Sequence, residues 1–144
     1  MDDGARRSWT LALGVAAAVL VASVVPPTVA ADALEALPSP SGPPASERSP
    51  PSPIPQDKLW HAAIYGGLAG VTLRATLRSP RIRRPFAVAV VGVAAYGLAI
   101  EGVQSQLAWR TGDPLDAAAN AVGAVLVAAV VLAVRIGRHR GGRP

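Results

Sequence analysis

Four long apolar blocks, each bounded by charges or prolines, constrain this chain more than any other feature. Trp9 to Val25, Leu59 to Leu77, Pro85 to about Val103 and Asp116 to Ile136 are nearly continuous in Ala, Val, Leu, Ile and Gly. Apolar residues at amphipathic spacing would describe helices half in water, whereas blocks of this kind describe helices surrounded by lipid or by other helices. Roughly 20 such residues cross a hydrocarbon core about 30 Å thick. The expected fold is therefore an all-α integral membrane protein, a bundle of four transmembrane helices at about 9–29, 59–77, 85–104 and 116–136. In 144 residues, 51% hydrophobic and 16% charged, four spans leave space for one real loop and no second large domain.

Basic residues give the orientation. Arg6 and Arg7 precede the first block; Arg74, Arg78, Arg81, Arg83 and Arg84 end or follow the second; Arg135, Arg138, Arg140 and Arg143 end or follow the fourth. Only Arg48, Lys58 and Arg110 fall on the other side of the alternation, so eleven of fourteen basic residues share one side. The positive-inside rule reads that side, and with it both termini, as cytoplasmic. A net charge of +5 and a pI near 11.0 would point to nucleic acid in a soluble protein, but arginines clustered beside apolar spans face anionic lipid instead. The chain has no cysteine, which removes disulfide and thiolate chemistry.

Residues 1–31 are read as the first span. Arg6-Arg7, the apolar stretch and Thr28-Val29-Ala30 also fit a signal peptide, but the uncharged stretch exceeds the usual apolar region of about 7–15 residues, so a retained helix is expected. Residues 32–56, with eight prolines from Pro38 to Pro55, read as an external Pro/Ser-rich linker, a plain spacer in preference to a proline-rich recognition peptide. The membrane core is 57–136, followed by a basic cytoplasmic tail at 137–144.

Most of the remaining polar residues fall at one depth, the outer ends of the last three spans. Asp57, His61 and Tyr65 are spaced i, i+4, i+8 on one helical face, with Lys58 beside Asp57. Glu101 and Gln104 are spaced i, i+3, and Asp116 and Asn120 i, i+4, with Asp116 as a candidate N-cap. The connector places Arg110 and Asp113 above them. Ionisable residues at such depth are costly and point to a functional site facing the bundle interior. The plainer alternative keeps Asp57, Lys58, Arg110 and Asp116 in the interface and uses Glu101 and Gln104 to tie helices together through His61 or Arg110. Trp60, Tyr65 and Trp109 read as an aromatic belt, and Gly66, Gly67, Gly70 and Gly123 as close-packing positions.

Three of these segments carry a family resemblance. DKLWHAAIYGGL from Asp57, EGVQ from Glu101 and RTGDPLDAAANAVG from Arg110 resemble the VanZ-like family pattern: D-K-x-x-H-x-x-x-Y, then E-x-x-Q, then R followed by D-x-x-x-N-x-x-G. The match runs from Asp57 to Val127 and takes in Asp57, Lys58, His61, Tyr65, Glu101, Gln104, Arg110, Asp116, Asn120 and Gly123. The resemblance implies a small polytopic membrane protein with about four helices, in a family whose namesake confers low-level resistance to the glycopeptide teicoplanin. The long Pro/Ser loop is a departure from that pattern.

The leading expectation is an external cavity that recognises the polar head group of a lipid or a lipid-linked cell-envelope precursor, with Arg, Lys and His meeting an anion. One alternative is a lipid-modifying enzyme using His61 as general acid/base with Glu101 or Asp116. Another is an assembly partner without chemistry. Membrane lipids are the expected partners, a second copy or another membrane protein the alternatives, and nucleic acid is not expected. No cofactor is assigned. Asp57, His61 and Glu101 are noted as residue types that a divalent metal would accept, without a ligand set being drawn from them.

Overall fold

The structure, a computed structural model, describes residues 3–26, 28–29, 55–110 and 112–141. The proline-rich stretch 32–54 lies outside them. The described residues form four long helices, α1 (Asp3–Val24), α2 (Gln56–Leu77), α3 (Pro85–Gln104) and α4 (Pro114–Gly141), and no strand.

Local sequence sets most of the boundaries. Pro26 follows the end of α1 by two residues, so that helix stops at Val24 and not near residue 29. Pro55 is the N-cap of α2, which takes Gln56 out of the expected linker and into the first turn. Pro85 and Pro114 occupy the first positions of α3 and α4, where a missing N–H costs nothing. No proline follows Ile136 within the helix, and α4 continues through Gly137 to Gly141 across most of the expected tail, with Arg138, His139 and Arg140 in its last turn complementing the helix dipole.

Consecutive helices run antiparallel. Trp9 Nε1 donates to Ser79 Oγ at 2.9 Å and Arg78 to Ser8 Oγ at 2.9 Å, joining the start of α1 to the end of α2. At the opposite end Gln104 Nε2 donates to the Ser23 carbonyl at 3.1 Å, joining the ends of α3 and α1. In between, the Tyr96 hydroxyl donates to the Ala16 carbonyl at 2.5 Å. Antiparallel order puts Arg6, Arg7, Arg74, Arg78, Arg81, Arg83, Arg84, Arg135, Arg138 and Arg140 at one end of the bundle. Asp57, Lys58, Glu101, Arg110, Asp113 and Asp116 lie at the other.

Helix α2 touches each of the other three and packs most extensively on α4. Their approach is closest at Gly123, where an added Cβ would collide with the carbonyl of Ala62. A Cβ on Gly66 would sit 3.1 Å from Val127 Cγ2 and 3.2 Å from the Gly123 carbonyl. Small residues thus bring the two backbones together, as in membrane helix pairs. Gly67 differs from the expectation: it faces open space and sets no packing distance. Two apolar clusters fill the interior, one around Tyr65, Leu68, Ala69, Val93 and Ala124, the other around Leu73, Ala89 and Ala128.

The outside of the bundle is apolar too. Val91, Leu98 and Val130 are 66%, 64% and 62% exposed, while the buried set includes Glu101, Gln104 and Asn120. Apolar side chains outward and polar ones inward is the arrangement lipid favours. Asp3–Val24, Pro85–Gln104 and Pro114–Arg140 are long and apolar enough to cross a membrane, as in a multi-pass membrane protein. Helix α2 has the length but is diluted by His61, Tyr65, Arg74 and three glycines.

Candidate functional site

At the acidic end, three carboxylates converge on one ammonium. Lys58 Nζ donates to Asp113 Oδ2, to Asp116 Oδ1 at 2.5 Å and to Asp57 Oδ2 at 3.2 Å. Lys58 stands in the first turn of α2 and Asp116 in the first turn of α4; with α3 antiparallel to both, α2 and α4 run parallel, start side by side and bring their polar first turns together. Asp113 belongs to the connector. Its hydrogen bond from the Lys58 ammonium, helped by the backbone N–H of Leu115, holds its carboxyl below the ordinary carboxylate value near 3.8.

Asp113 also corrects the expectation for Asp116. Leu115 N donates to Asp113 Oδ1 at 2.9 Å, making Asp113 the residue that caps α4. Asp followed by Pro is a standard helix start, so Asp113-Pro114 carried the signal. Relieved of capping, Asp116 turns one oxygen to Lys58 and the other to His61, with Oδ2 3.5 Å from His61 Nε2.

One turn deeper, His61 Nδ1 lies 3.0 Å from Asn120 Oδ1. Asn120 is fully buried, and its Nδ2 has no hydrogen-bond partner. Gly97 of α3 makes space for it: a Cβ there would lie 3.0 Å from Asn120 Nδ2 and 2.9 Å from Tyr65 Cε1. Glu101 reaches the same place from α3. Its Oε2 accepts from the backbone N–H of Asp113 at 3.3 Å, while its Oε1 is buried with no partner. Ligand atoms of His61, Glu101 and Asp116 all lie within 4.8 Å of one another.

Three expectations fail here. Tyr65 is 3% exposed and stacks on His61, with ring centroids 6.4 Å apart and planes 9° from parallel, so it belongs to the interior and not to an aromatic belt. Trp60 and Trp109 are exposed. Gln104 does not share the surroundings of Glu101, because its amide reaches α1 instead. The i, i+3 spacing put the two on one side of α3, but α1 and the α3–α4 connector divide that side between them. The metal-accepting group likewise contains Asp116 where Asp57 was noted, since Asp57 turns to Lys58.

Beside this cluster lies a cavity of about 550 Å³. Val15, Ala18, Val19 and Ala22 of α1 face Trp60 and Ile64 of α2 across it. Asp57, His61, Gln104 and Arg110 give the same cavity a polar side. Arg110 is exposed and, among the described residues, makes no ion pair, while Lys58 is shared by three carboxylates. No family model, curated protein or solved structure matches the chain.

Proposed function

We propose that this is a VanZ-like protein of the cell membrane with four spans, whose outer cavity holds the anionic head group of a lipid or a lipid-linked envelope precursor. The observation that carries the reading is Arg110, a guanidinium with no ion pair among the described residues, at the polar side of a cavity otherwise walled by aliphatic and indole groups. A guanidinium binds phosphate oxygens through paired, charge-assisted hydrogen bonds, and the apolar wall suits the adjoining acyl or prenyl chain. A volume of about 550 Å³ is of the size that small-molecule sites occupy.

Helix α2 counts as the fourth span in this reading because it packs against all three other helices, and a helix whose polar groups face its neighbours need not be apolar all round. The arginine-rich end is cytoplasmic by the positive-inside rule, as are both termini. Helix α1 is retained, supported by its bonds to α2 and α3 at Ser8, Trp9, Ala16 and Ser23 along its length. The ordered motifs from Asp57 to Gly123 support the VanZ-like assignment and make glycopeptide susceptibility the phenotype to score.

Trp60 lines the cavity and reports its occupancy. In a Trp9→Phe, Trp109→Phe background, short-chain phosphatidylglycerol should change Trp60 emission saturably, phosphatidylcholine should not, and Arg110→Gln should abolish the response. Equal responses to both lipids, or an undiminished response in Arg110→Gln, contradict the reading.

A further inference from the structure

We propose that His61, Glu101 and Asp116 bind one divalent transition-metal ion, of the Mn²⁺ to Zn²⁺ class, at the outer end of the bundle. Each residue comes from a different helix, α2, α3 and α4, and one ligand atom from each lies within 4.8 Å of the others. Metal–nitrogen and metal–oxygen bonds of about 2.0–2.2 Å need these atoms closer together, a change that rotation of the two carboxylates supplies.

The orphaned oxygen is the first argument. Glu101 is 8% exposed, its Oε2 is held by the Asp113 N–H, and its Oε1 is buried with no partner. A buried carboxylate oxygen in that state lacks a positive or protic neighbour. Among the described residues no cation pairs with Glu101, since Lys58 is committed to Asp57, Asp113 and Asp116. A dication between Glu101 and Asp116 supplies the missing charge.

Histidine tautomerism is the second. With Asn120 Oδ1 accepting from Nδ1, the lone pair of His61 sits on Nε2, 3.5 Å from Asp116 Oδ2. Two electron-pair donors then face each other. A proton on Nε2 would reconcile that pair and still leave Glu101 Oε1 alone, whereas a metal ion satisfies all three atoms.

The outer groups complete the pattern. Asn120 holds His61 Nδ1, Lys58 holds Asp116 Oδ1, and the Asp113 N–H holds Glu101 Oε2, so each ligand is oriented by one further contact. One imidazole with two carboxylates suits Mn²⁺ or Zn²⁺ better than Mg²⁺ or Ca²⁺, which take oxygen sets. His61 also borders the cavity, so the remaining coordination positions are reachable from it. The inference does not rest on the head-group reading, which Arg110 carries.

The test uses the full chain, purified without a histidine tag, stripped with a chelator and titrated with Mn²⁺ under electron paramagnetic resonance. One Mn²⁺ per chain is expected, displaced by Zn²⁺ and showing nitrogen hyperfine coupling from one imidazole. His61→Gln should remove the coupling, Glu101→Gln should weaken binding by at least about 10–100-fold, and His139→Gln should change neither. Substoichiometric binding by the wild type, or an unaltered affinity in Glu101→Gln, overturns the site. Should Glu101→Gln fail to fold, the wild-type spectrum still decides, because bound Mn²⁺ without nitrogen coupling is equally contrary.

Discussion

His61 Nδ1 and Asn120 Oδ1 lie 3.0 Å apart across the contact of α2 with α4, one turn below the carboxylates that share Lys58. Their bond forms where Gly66 and Gly123 let the two backbones meet. Polar pairing and small-residue packing thus fix the same register. Asn120→Ala removes the partner of His61 and leaves a void in a fully buried position. A loss of about 1 kcal/mol is expected, typical of an interhelical hydrogen bond in a bilayer, measured as a lower denaturation midpoint in mixed micelles. An unchanged midpoint would make the bond ornamental.

Gly123 and Gly67 provide an internal contrast. Gly123→Ala drives a methyl group into the Ala62 carbonyl and should cost about 1–3 kcal/mol as α2 and α4 separate. Gly67→Ala meets nothing within 4 Å and should leave stability level or slightly raised, since Ala is the better helix former. Equal effects of the two substitutions in the same unfolding assay would contradict the packing described.

Acid should loosen the outer end. The Asp113 carboxyl sits below its ordinary value because Lys58 donates to it, so its ion pair contributes fully above about pH 4 and is lost as pH falls through the depressed value. Thermal unfolding should therefore show a midpoint falling below about pH 4. In Asp113→Asn the fall should be shallower. Lys58→Met, which leaves three carboxylates without their shared ammonium, should lower the midpoint at neutral pH.

The four helices were legible because lipid-facing sequence is repetitive: long apolar blocks between prolines and arginines admit few other folds. The convergence of polar residues was legible for a related reason, since alternating spans put residues of similar depth at one end. Direction around each helix axis was not. Tyr65 reads as an interface tyrosine until α3 and α4 are seen to enclose it, and Gln104 as a partner of Glu101 until α1 is seen to take its amide. The role of Asp113 was written in Asp113-Pro114, but the more conspicuous i, i+4 pair Asp116 and Asn120 drew the cap three residues too far. Glu101 Oε1 left without a partner is visible only in three dimensions.

Sidedness can be read by cysteine labelling, because the chain has no native cysteine. Gln106→Cys, in the exposed connector at the acidic end, should react with an impermeant maleimide on intact cells. Arg81→Cys, between α2 and α3 at the basic end, should react only after lysis. The reverse pattern would invert the orientation and place the cavity on the cytoplasmic side.

The head-group reading meets its most direct test in native mass spectrometry of the wild type and Arg110→Gln, purified side by side from the membrane in a mild detergent. The account predicts one anionic lipid or lipid-linked precursor retained per wild-type chain and absent from the variant at equal folding yield. The same adducts on both proteins, or none on either, would contradict it.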